Sequence, residues 1–72
     1  MGKERKIMSE QYYYFIITFK DVRTGNTEIQ SYNNFFTNYQ IAWKKCLDYA
    51  MSVLRNKSKY YIILNIEHYN HK

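Results

Sequence analysis

Proline is absent, cysteine occurs once and glycine twice, and no apolar run comes near the length of a membrane span. Each shortage closes off a class of protein. A lone Cys46 cannot form an intramolecular disulfide, so the chain is no disulfide-stapled secreted scaffold. Without ~18 consecutive apolar residues no segment reads as a membrane-spanning helix, and no membrane partner is expected. Residues 1–8, MGKERKIM, are charged and lack the apolar run and small-residue cleavage site of a secretory leader. Met1-Gly2 opens like a myristoylation signal, but Lys6 stands where that signal wants Ser or Thr. The expected setting is reducing, intracellular and cytoplasmic. Acidic residues are few as well: six against eleven Lys and Arg, a formal net charge of +5 and a pI near 9.4. That excess favours an anionic partner, which is a statement about electrostatics and not about fold. The missing proline, with abundant Asn, Lys, Ile and Tyr, suits an AT-rich coding sequence of the sort that phages and mobile elements carry.

What is present is apolar and aromatic. Seventy-two residues make one domain near the size at which a single core suffices, and 46% hydrophobic content is too high for a disordered chain. Nine tyrosines are the oddest entry in the composition. Buried aromatics bring large contact area, so a compact core needs no covalent staple. Residues 1–10, with Lys3, Arg5 and Lys6, read as a basic flexible arm. Residues 11–70 read as a single α+β domain with no repeat or linker.

Only residues 37–56, TNYQIAWKKCLDYAMSVLRN, keep a helical period. At 100° per residue, Tyr39, Ala42, Trp43, Cys46, Ala50, Val53 and Leu54 share one stripe. Gln40, Lys44, Lys45, Asp48, Ser52 and Arg55 fall on the other side. Thr37 followed by Gln40 fits a capping box, Phe36 and Ile41 fit the hydrophobic staple, and Asn56 is suited to a left-handed stop. Cys46 on the stripe reads as a small buried hydrophobe and not as a nucleophile.

Residues 12–20, YYYFIITFK, are aromatic and β-branched, too short for a helix, and apolar on both faces, which makes them a central strand. Residues 21–27 form a hairpin connection in which Gly25 takes a positive φ. Residues 28–33 return as a polar edge strand, with Asn33 and Asn34 breaking the ladder. Residues 59–69 are a third strand. The order β-β-α-β predicts a three-stranded, mainly antiparallel sheet of order 2-1-3 with one amphipathic helix packed on one face, joined by a right-handed crossover. The helix is expected to cover Phe15, Ile17, Phe19, Ile29, Ile62, Leu64 and Ile66. The opposite face is expected to expose Tyr12, Tyr14, Ile16, Tyr32, Tyr61, Ile63 and Tyr69, a patch of the kind that marks contact sites. From Tyr60 to Ile66 the third strand has neither charge nor proline to discourage edge pairing.

Enzymatic constellations are nearly absent. The acids are scattered, and Cys46, Asp48 and His68 cannot be assembled on one face, so no catalytic role, metal or cofactor is expected. Two kinds of binding remain, nucleic acid as the leading expectation and a protein partner as the alternative. Arg23, Lys44, Lys45, Arg55, Lys57 and Lys59 offer phosphate contacts, and Tyr12, Tyr14, Tyr32, Tyr61 and Tyr69 offer stacking platforms, which together describe a nucleic-acid binder. The helix cations lie across the domain from the tyrosine face, however, and no stretch matches the RNP1 pattern. The same tyrosines suit a protein interface: a homodimer, or an inhibitor or adaptor that engages a host protein through the tyrosine face or the third-strand edge. The plainer reading is that tyrosine is a good strand former and cross-strand tyrosine pairs stabilise a sheet.

Overall fold

The computed structural model of the chain describes residues 10–69. The basic arm expected over residues 1–10 therefore lies, but for Glu10, outside the described residues. Strand β1 (Gln11–Asp21) leads into β2 (Thr27–Phe36), helix α1 (Tyr39–Arg55) and β3 (Tyr61–Tyr69). The strands form one sheet of order β2-β1-β3, and β1 pairs antiparallel with both neighbours. This is the expected α+β architecture, with the helix on one face. Among the described residues no helix is long and apolar enough to cross a membrane.

Period-two alternation on β1 drives the core. Tyr13, Phe15, Ile17 and Phe19 are buried beneath the helix, while Tyr14, Ile16, Thr18 and Lys20 face away and are half-buried. From above, α1 contributes Ala42, Cys46 and Ala50, all fully buried. These side chains recur every four residues, and their small size lets the helix backbone settle onto the large Phe15, Ile17 and Phe19. Trp43, Tyr49, Val53 and Leu54 flank that line and close the core at its sides. Gln40, Lys44, Lys45, Asp48, Ser52 and Arg55 are exposed, as the helical period requires.

The hairpin forms as its glycine predicts. Gly25 sits at φ 83° with open space where a side chain would project. Its N–H donates to the Asp21 carbonyl at 2.7 Å while the Asp21 N–H donates to the Asn26 carbonyl at 2.9 Å, so two residues oppose one in a bulge.

Several local expectations are corrected. Asn38, not Thr37, caps the helix: its Oδ1 accepts from the Ile41 N–H at 2.9 Å. With the cap one residue later, Gln40 and the Phe36–Ile41 pair lose their capping-box and staple positions, and Ile41 is exposed. Asn56 ends the helix at φ −91° and ψ 0°, outside the left-handed region. Its backbone N–H bonds the Val53 carbonyl and its side-chain amide donates to the Ser52 carbonyl at 3.2 Å, so the last turn tightens instead of reversing. Asn33 and Asn34 do not break the ladder; they pair with Tyr14 and Tyr13, and β2 continues to Phe36.

Two strands also present the opposite phase from the one expected. On β2, Glu28, Gln30 and Tyr32 lie opposite Phe19, Ile17 and Phe15 and so face the helix, whereas Ile29 is exposed on the other side. On β3 the register slips between Thr18 and Phe19 of β1, so Leu64 is an inserted residue. Tyr61 and Ile63 therefore join Ile66 against the core, and Ile62 and Leu64 are exposed. The same insertion changes the view of the third-strand edge, because a bulge is itself a device that discourages edge pairing.

Candidate interaction surface

The helix-free face of the sheet is built on the even residues of β1. Cross-strand partners put Tyr12 opposite Phe35, Tyr14 between Asn33 and Tyr69, Ile16 between Ser31 and Glu67, and Thr18 between Ile29 and Asn65. Aromatic rings gather at one end: Tyr12 and Phe35 have centroids 5.3 Å apart, and Tyr14 meets Tyr69 edge-on at 6.1 Å. Ile29 and Phe35 are its most exposed apolar side chains, at 68% and 56%. Ile62 and Tyr69 are close to half exposed. Charge is sparse here. Lys20 and Glu67 supply one of each sign, and Glu67 accepts a hydrogen bond from the Tyr69 hydroxyl at 2.9 Å, which raises that phenol's pKa. No pocket opens among the described residues, so this face is a surface and not a cleft.

Of the five tyrosines expected on it, Tyr12, Tyr14 and Tyr69 are there. Tyr32 and Tyr61 are not. Tyr32 stacks on Tyr49 of the helix at 4.9 Å, and burial raises its pKa. The neighbouring Gln30 amide donates to the Tyr49 hydroxyl at 2.9 Å, so the polar side chains of β2 that face the helix have partners. Tyr61 donates its hydroxyl to Glu28 at 2.8 Å, and Lys57 bonds the other oxygen of that carboxylate. The Lys57 ammonium also lies 5.3 Å from the Phe19 ring and 5.0 Å from the Tyr61 ring. Lys57, followed by the Tyr61 hydroxyl, holds the Glu28 carboxyl below its ordinary range, and the same carboxylate pushes the Tyr61 phenol up.

The cations divide in the same way. Arg23 donates from its backbone N–H and its guanidinium to Asp21, at 2.8 and 3.2 Å, and lowers that carboxyl's pKa. Its guanidinium also lies 4.1 Å above the Tyr60 ring, with Lys59 at 5.5 Å from the same ring. Arg23 and Lys57 thus serve the fold. Lys44, Lys45 and Arg55 stand exposed on the outer side of α1, and among the described residues they have no ion-pair partner. They lie across the domain from the open sheet face, and the structure does not bring the two sets together.

Phe35, Ile29 and Ile62 belong to the open face but escaped the sequence reading. For Phe35 the reason is strand length: β1 runs to eleven residues, beyond the nine its sequence suggests, and carries β2 past Asn34 to Phe35. His68 lies on the helix side with ring contacts to Phe15 and Tyr39, both at 5.1 Å. Cys46 is fully buried, and burial pushes its thiol up to about 11. Among the described residues no group of three His, Cys, Asp or Glu is placed to hold a metal ion. No protein-family model, curated protein or solved structure matches the chain.

Proposed function

We propose that this chain is a small non-enzymatic binding module whose open sheet face docks a neutral, apolar surface of a partner protein. The observation that carries the reading is the chemistry of that face. It combines Tyr12, Tyr14, Ile16, Ile29, Phe35, Ile62 and Tyr69 with, among the described residues, a single balanced pair of charges, Lys20 and Glu67. Tyrosine and phenylalanine bring large area at low rotamer cost, and depletion of charge at the centre of a patch is typical of protein interfaces. A groove for single-stranded nucleic acid would need cations beside its stacking rings, and among the described residues none stands beside Tyr12, Tyr14 and Tyr69, since Lys20 lies at the other end of the face.

Nucleic acid is the second reading, supported by one feature: Lys44, Lys45 and Arg55 on the outer helix face, within a chain of net charge +5. It would use the helix and not the tyrosines. Labelled single- and double-stranded oligonucleotides, titrated at about 50 and 200 mM salt, separate the two. The protein-docking reading expects weak binding, unaltered by Ile16→Lys or Phe35→Lys. Tight binding that falls steeply with salt and is lost in a Lys44→Glu, Lys45→Glu variant would replace it with the duplex-backbone reading. Tight binding to single strands that Tyr12→Ala and Tyr14→Ala abolish would return the tyrosines to base stacking.

A further inference from the structure

The long unguarded edge of this sheet is β2, not β3. Its register with β1 runs without interruption from Thr27 to Phe36, whereas β3 is kinked at Leu64. After Glu28 it carries no charge and no proline, and among the described residues nothing pairs with its outer side. The direction of its backbone groups follows from the ends of β1. The Asp21 N–H bonds Asn26 on the β2 side, and the Val22 N–H bonds Tyr60 on the β3 side. Odd residues of β1 therefore bond β2, and their partners Glu28, Gln30, Tyr32, Asn34 and Phe36 point their peptide groups inward. The N–H and C=O groups of Thr27, Ile29, Ser31, Asn33 and Phe35 point outward. Phe35 is blocked, because its N–H donates to the Asn34 side chain at 2.8 Å. In a pairing centred on Ser31, Thr27 would meet the blocked Phe35, so the three consecutive outward residues Ile29, Ser31 and Asn33 are the ones open to a second strand.

We propose that this edge pairs with its own copy, β2 against β2 in antiparallel array, about a two-fold axis at Ser31. The pairing is self-complementary. Ser31 faces Ser31 of the second copy and Ile29 faces Asn33, each pair exchanging both N–H···O bonds. The one charge of the strand, Glu28, falls opposite a neutral Asn34, and Lys57 already balances it. Like charges never stand opposite each other. Helices centred on β1 would lie about 14 Å apart at a strand spacing of ~4.8 Å, which leaves room for Lys45 and Ile41 between them.

What joins the two copies at the edge is the backbone ladder, and the open face is left free. A three-strand face of ten-residue strands covers a footprint of roughly 500 Å². Edge pairing doubles that face into one continuous six-stranded surface. This inference does not depend on what the face then binds.

Light scattering on the full chain, from micromolar to millimolar concentration, reads the mass. Amide exchange by NMR reads the edge. The expected result is a dimer in which exchange of Ile29, Ser31 and Asn33 slows with concentration. In Ser31→Pro, which removes an outward donor from an edge position where proline is tolerated, the mass should halve with the circular dichroism unchanged. A wild-type monomer throughout would overturn the proposal. So would a dimer in which these three amides stay unprotected, a readout that holds even if Ser31→Pro fails to fold.

Discussion

Asn38 and Cys46 show how single side chains set local energetics here. Asn38 supplies the acceptor for the Ile41 N–H, one of the donors that a helix start leaves without an intrahelical partner. Asn38→Ala should cost about 1 kcal/mol, while Thr37→Ala should move the denaturant midpoint little. Equal losses at both positions would mean that Thr37 shares the cap. Cys46 behaves as a buried hydrophobe whose thiolate is disfavoured. Its ordinary value of 9.0 rises to about 11 in the folded chain, so the native state holds that proton more tightly than the unfolded one. The resulting stability is complete below pH 9 and is lost as pH climbs toward 11. Two measurements check this. At neutral pH a thiol reagent should label Cys46 only after denaturant is added, and Cys46→Ala should flatten the alkaline limb of stability.

At the scale of elements, polar ties decide how the strands meet. Glu28 reaches across the end of the sheet to Tyr61 of β3 and to Lys57 of the loop, so one carboxylate joins three segments over Phe19. Its carboxyl is held below the ordinary 4.5, so its stabilising effect is present above that value and fades as pH falls below it. Glu28→Gln should therefore lower stability at neutral pH and flatten the acid limb, with the acid midpoint of unfolding moved to higher pH if it moves at all. An unchanged acid limb would show that the exposed pair is screened by solvent.

The same ties explain what the sequence could and could not reveal. On β1 and α1 the apolar period matches burial closely, Tyr39 being the stripe residue left exposed, so the central strand, the helix stripe and the order 2-1-3 were legible. On β2 the period misled. Glu28, Gln30 and Tyr32 turn toward the helix because Lys57 and Tyr49 satisfy them, while Ile29 is left outside. Partners supplied by another element are invisible within the strand's own residues. On β3, five successive apolar residues from Tyr60 to Leu64 gave no phase at all, and the bulge at Leu64 resets whatever phase the later residues suggest. Of the candidate surface, Tyr12, Tyr14 and Tyr69 were readable because they follow the clear alternation of β1 or pair with it. Phe35 was hidden behind two asparagines that remain in the ladder.

For the whole molecule, size and association are linked. A core of Tyr13, Phe15, Ile17, Phe19, Ala42, Cys46 and Ala50 is small, and a domain of this length buries only ~60% of its unfolded surface, which makes it marginal alone. If copies join through β2, only the folded chain presents that edge, so association must stabilise folding by mass action. Once the dimer dominates, tenfold more protein adds about 1.4 kcal/mol per dimer, or half that per chain. In a domain of this size 1 kcal/mol moves the thermal midpoint by ~4–8 °C, so the expected rise is roughly 3–5 °C per decade of concentration. Ser31→Pro should remove the dependence. Raised salt should strengthen it, since two chains of net charge +5 repel each other until the Debye length drops toward ~3 Å at 1 M. A nucleic-acid complex would respond in the opposite sense, weakening as salt rises. A midpoint flat across three decades would mean that folding and edge pairing are uncoupled.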